Sequence, residues 1–183
     1  IAVQVSLALL TESWNNYTGQ NASLSAIKRE CSERLPKLIS REWRLKVDEH
    51  FQTNPYTEAE MLKISEKARA EVAKENKVNL QSYGATLLAA MVTEDFILCI
   101  QLGDGDILLV DSAGRVNRAI PKDPKLIANE TTSLCMADPE NEFHVVFTPF
   151  AGKRPSIVML STDGYANSFV DESGFLKAAS DIL

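Results

Sequence analysis

Two short segments, Phe96-Ile97-Leu98-Cys99-Ile100 and Ile157-Val158-Met159-Leu160, are apolar at every position. Successive side chains on a strand point to opposite faces, so a one-sided antiparallel sheet alternates apolar with polar residues. Strands that do not alternate are expected to be covered on both faces. The segments 84–92, Asp106–Val110 and 143–148 are further short apolar runs. Thr93-Glu94-Asp95 and Asp111-Ser112-Ala113-Gly114 make tight polar breaks between such runs, as antiparallel hairpins require.

The first half of the chain reads differently. Residues 1–10 are apolar nearly all round, as in a fully buried helix. Leu24, Ile27, Cys31, Leu35 and Leu38 line one helix face, and Pro36 within that series predicts a break or kink nearby. Thr57-Glu58-Ala59-Glu60 has the pattern of a capping box, predicting a helix whose inner stripe is Met61, Ile64, Ala68 and Val72. Helices first, then strands covered on both faces, predict an α+β protein: a four-layer α/β/β/α sandwich of antiparallel sheets flanked by helices. Residues 120–141, with Pro121, Pro124 and Pro139, read as a long loop that docks through Leu134-Cys135-Met136.

Length and charge narrow the function. The chain has 183 residues, enough for one domain with a real core. Its net charge of −6 argues against a nucleic-acid partner held by phosphates. No segment approaches the ~20 apolar residues of a membrane helix. Cys31, Cys99 and Cys135 are an odd number at wide spacing, which reads as reduced thiols in a cytoplasmic protein. His50 and His144 have no ligand-like spacing to any cysteine, so a structural zinc is not expected.

Familiar catalytic signatures do not fit. Gly103-Asp104-Gly105 meets Leu108 where a dinucleotide loop needs its third glycine, and a calcium loop started at Asp104 meets Arg115 where it needs Glu. The three cysteines lead to Lys37, Gly105 and Asn141, where a cysteine phosphatase has Arg. No Gly-x-Ser-x-Gly elbow supports a serine triad. Two aspartates stand out instead. Asp104 follows the strand ending at Leu102, Asp163 follows the strand ending at Leu160-Ser161, and each is followed by glycine. Carboxylates on the ends of rigid strands suit a hard divalent cation. Asp-Gly is equally a hairpin turn, and both readings stand on spacing alone.

Three segments in this order resemble the metal-dependent Ser/Thr phosphatases of the protein phosphatase 2C family, bacterial type. Tyr83-Gly84-Ala85-Thr86-Leu87 is similar to that family's glycine–small–threonine strand start. Leu102-Gly103-Asp104-Gly105-Asp106 is similar to its Gly-Asp-Ser-Arg strand, and Leu160-Ser161-Thr162-Asp163-Gly164-Tyr165 to its Ser-Asp-Gly motif. Asn129-Glu130-Thr131-Thr132-Ser133-Leu134 resembles a further segment of bacterial members.

The resemblance implies hydrolysis of phosphoserine and phosphothreonine in proteins by a metal-activated water, with two or three Mn²⁺ or Mg²⁺ ions. Asp163 matches a ligand of the main cluster and Asp104 a ligand of a weaker site beside it. No catalytic residue beyond these ligands is implied. Partners would be a phosphorylated protein and a Ser/Thr kinase, with neither nucleic acid nor membrane. The whole of 1–183 is expected to be one such domain, truncated at both ends. The family's Asp-Gly-x-Gly motif would fall before Ile1 and its last aspartate after Leu183, so this segment alone is expected to have little activity. A non-catalytic pseudophosphatase that binds phosphoproteins or a kinase is the alternative.

Overall fold

The computed structural model describes residues 1–20, 23–75, 77–122 and 131–183. Three long helices come first: α1 (Ala2–Gln20), α2 (Leu24–Glu33) and α3 (Leu35–Thr53). The Ser23 hydroxyl caps α2 by accepting from the Ala26 amide, 3.3 Å away. The Pro36 expectation holds in a specific form. Helix α2 ends at Glu33, Arg34 bridges, and Pro36 sits in the first turn of α3, where its missing N–H costs nothing.

Two helical expectations are corrected. Helix α1 is not buried all round, since Val3 and Leu7 are exposed and Val5 and Leu10 buried. The helix behind Thr57 splits into α4 (Glu58–Met61) and α5 (Glu66–Glu75). The capping box is present, but Ser65 accepts a second cap bond from the Ala68 amide at 3.2 Å and starts a new helix.

Six strands follow: β1 (Leu87–Val92), β2 (Phe96–Leu102), β3 (Asp106–Val110), β4 (Val116–Arg118), β5 (His144–Pro149) and β6 (Ile157–Ser161). Strand β4 is too short and too polar for its sequence to announce it. Two short helices, α6 (Asp163–Ala166) and α7 (Glu172–Ser180), end the chain. The strands form two antiparallel three-stranded sheets, ordered β1-β2-β5 and β4-β3-β6.

Three apolar clusters hold these elements together. Leu10, Ile27, Cys31, Ile39 and Trp43 of α1–α3 bury against Leu98, Ile100 and Leu102 of β2. Ile97 and Cys99, on the opposite face of β2, meet Ile107 of β3, with Leu88, Val146 and Val158 packed around them. Leu108 and Val110, on the far face of β3, bury against Phe175 and Ala179 of α7. Every residue of β2 is therefore buried, as its unbroken apolar run predicts. The expectation fails for β6, an edge strand whose Leu160 is 42% exposed.

The loop after Ile120 does dock. Leu134 is fully buried, and the Arg44 guanidinium donates to the Met136 and Ala137 carbonyls at 2.8 and 2.5 Å. Asn129 and Glu130, part of the fourth similar segment, lie outside the described residues. Among the described residues no helix is long and apolar enough to cross a membrane, and all three cysteines are free. Burial pushes the Cys31 and Cys99 thiols up to about 11.

Candidate functional site

Both aspartates lie just beyond the β3–β6 ladder. Asp106 pairs with Ser161 at its end. A Cβ on Gly105 would lie 2.8 Å from the Ser161 carbonyl oxygen. Asp104 precedes that last pair by two residues and Asp163 follows it by two, so both flank the same end of the ladder. Asp163 opens α6 behind Thr162, and it is exposed. Asp104 is half-buried in the turn that carries the chain from β2 to β3.

That turn needs glycine on both sides of Asp104. Gly103 has φ of +102°, a conformation that side chains disfavour, and a Cβ there would meet Thr86 Cγ2 at 2.5 Å. Gly105 is closed off by Leu88 and by the Ser161 backbone. The Gly103 amide donates to Thr132 Oγ1 at 2.8 Å, and Thr131 Oγ1 donates to Asp104 Oδ1 at 3.0 Å. The same segment is pinned at its other end: the Leu134 amide and Ser133 hydroxyl both donate to the Ala85 carbonyl, at 3.0 and 3.2 Å. Gly84 lies so close that a Cβ would be 2.9 Å from Cys135 Sγ. Segments distant in sequence, around Gly84, Asp104 and Thr131, therefore form one assembly beside the β3–β6 end.

Three residues here escape sequence reasoning. Gln101, the one polar side chain besides Cys99 in β2, is 6% exposed, and its Nε2 donates to the Gly103 and Gly105 carbonyls at 3.0 and 2.9 Å. An amide inside an otherwise apolar strand was the available signal. Asp106 and Arg118 form a buried ion pair on the α7 side of β3. Arg118 also bonds Glu172 of α7 at 3.1 Å and lies 5.6 Å from the Phe175 ring centre. This hydrogen bond holds the Glu172 carboxyl below its ordinary range. No local sequence signal marks that pair, whose partners come from different strands.

Both aspartates offer carboxylate oxygens; separately, the buried Ser161 Oγ, on the α7 face of its sheet, and Gln101 Oε1, on the face between the sheets, have no hydrogen-bond partner among the described residues. Carboxylate chemistry fits a hard divalent cation. The pair does not complete a two-ion cluster. Among the described residues no three His, Cys, Asp or Glu side chains stand together, and two carboxylates do not balance +4 of charge.

A family model described as Protein phosphatase 2C matches residues 1–183. The chain belongs to the protein phosphatase 2C family, and its α+β fold of two small antiparallel sheets with helices is compatible with that membership. It carries a phosphatase-like domain. The chain matches no curated protein and no solved structure.

Proposed function

We propose that the chain is a single metal-dependent Ser/Thr protein phosphatase domain acting on phosphoserine and phosphothreonine in proteins. Asp163 and Asp104 are its Mn²⁺ or Mg²⁺ ligands in this reading. The observation that carries it is the shared strand end. Asp104 and Asp163 each lie two residues beyond the Asp106–Ser161 pair, and the similar segments around Gly84 and Thr131 join Asp104 there. The three stacked clusters support a four-layer α/β/β/α sandwich, with the site at one end of the seam between sheets. A cytoplasmic setting with phosphoproteins and a Ser/Thr kinase as partners belongs to the same proposal, supported by the three free thiols.

Bound divalent cations would lower the pKa of a coordinated water and neutralise the phosphate it attacks. The chain's own part is positional. Asp104 is held by the Thr131 hydroxyl and by glycines that let the backbone turn tightly against Ser161. Asp163 is carried on the first turn of α6, fixed by the Asn167 amide donating to its carbonyl at 2.8 Å. Neither carboxylate needs to move a proton in this scheme.

The test is phosphate release from phosphoserine and phosphothreonine peptides by the full-length protein, with and without Mn²⁺. Mn²⁺-dependent release is the expected result, and metal-independent or absent release counts against the reading. The small number of acidic groups gathered at the site favours a second reading, a pseudophosphatase that binds phosphoproteins or a kinase. Phosphopeptide binding without turnover distinguishes it.

A further inference from the structure

Gln101 is placed to do more than fill space. It lies on β2, facing Leu88 of β1 and His144 of β5 in register, within the central strand of its sheet. By the alternation of β2 it shares the face of Ile97 and Cys99, which is turned toward the other sheet. Its two Nε2 hydrogens are both used. One reaches the carbonyl before Asp104 and the other the carbonyl after it, at 3.0 and 2.9 Å.

These hydrogen bonds fix the orientation of the amide. Its Oε1 has no hydrogen-bond partner among the described residues, so the donors alone decide which way the group points. Reversing it would bring a carbonyl oxygen against two other carbonyl oxygens. No other uncharged side chain of this length offers two hydrogens at one nitrogen. Glutamate offers none when ionised, and methionine has neither.

We propose that Gln101 is a positioning residue: its amide clamps the carbonyls on both sides of Asp104 and thereby sets where that carboxylate sits. The role of the positioned carboxylate rests on the reading of Asp104 as a cation ligand. The clamp itself does not. Partners behind a metal ligand typically change cation affinity about 10–100-fold when removed. The Thr131 hydroxyl holds the carboxylate itself, so Gln101 and Thr131 restrain both the backbone around Asp104 and its side chain.

The test uses the full chain with Gln101→Met and Gln101→Glu, and Cys99→Ala as a control from the same face of the same strand. Two quantities are read, amide hydrogen exchange by NMR without metal and Mn²⁺ affinity by calorimetry. Loss of protection at residues 103–105 in Gln101→Met, with residues 96–100 unmoved, is the expected result. Mn²⁺ affinity should fall about tenfold in both Gln101 variants and hold in Cys99→Ala. Unchanged exchange at 103–105 overturns the proposal, and so does an equal effect from Cys99→Ala. If the native protein takes up no Mn²⁺ while the exchange pattern shifts as described, the clamp stands and the phosphatase reading of Asp104 falls. Should both Gln101 variants unfold, the native side chain decides: slow exchange of its amide hydrogens supports the clamp, and exchange at the rate of an exposed glutamine overturns it.

Discussion

Thr131 Oγ1 donates to Asp104 Oδ1 at 3.0 Å across 27 residues of sequence, tying the docked loop to the turn between the two sheets. Thr131→Val keeps the shape and removes the hydroxyl. This bond is solvent-exposed, so the cost in urea unfolding should stay under about 1 kcal/mol, while Mn²⁺ binding weakens. Equal Mn²⁺ affinity in both proteins would show that the bond is incidental to the site.

The two aspartates should not be equivalent. Asp163→Asn is expected to remove most Mn²⁺-dependent phosphatase activity of the full-length protein, because a neutral amide replaces an anionic ligand. Asp104→Asn should hurt less. Near-native rates for both variants would sink the assignment.

At Gly103 a methyl group has no room. Gly103→Ala places Cβ 2.5 Å from Thr86 Cγ2 and forces alanine to φ of +102°. The backbone conformation alone costs about 1–3 kcal/mol. Adding Thr86→Gly removes both Cγ2 and the Cβ that would still lie 2.7 Å away, and should leave the backbone cost. A double-mutant cycle by urea denaturation separates the two, and full recovery would mean the backbone conformation carries no cost.

Arg118→Met should be among the most damaging single changes. It leaves Asp106, 5% exposed, without its cation, and stranding a buried charge costs about 3–5 kcal/mol. Replacing both partners by Asp106→Leu with Arg118→Met should recover much of that loss. A double variant no better than Arg118→Met alone would assign the damage to lost packing on Phe175 instead.

Acid should loosen α7 before the sheets. Hydrogen bonding from Arg118 lowers the Glu172 carboxyl, and bonds from the Ser173 hydroxyl and Gly174 amide lower that of Asp171. A depressed carboxyl stabilises the fold above its unfolded pKa and loses that contribution as pH falls through its folded value. The loss therefore begins near about pH 4, the ordinary carboxyl range. Amide exchange should accelerate at Gly174 and Phe175 in that window while β2 stays protected. Protection of α7 that persists to about pH 2 would contradict the assignment.

Burial on both faces was legible in Phe96–Leu102 because strand alternation has one meaning. It misled at β6, where the same apolar texture sits on an edge strand, and edge position is a property of topology that four residues do not encode. The break at Pro36 was readable from backbone chemistry. The split at Ser65 was not, because a serine cap competes with a continuing helix on nearly equal terms. Asp104 and Asp163 were visible as strand-end Asp-Gly pairs. The Thr131 and Arg118 contacts were invisible, since both join partners brought together only by the folded sheets.

The chain crosses between its two sheets three times, through residues 103–105, 119–143 and 150–156. The first link is by far the shortest, and Asp104 is its middle residue. Shear of one sheet over the other can be spread over residues 150–156, but it reaches this tripeptide undiluted. A ligand that levered the layers apart from a remote surface would move this carboxylate first.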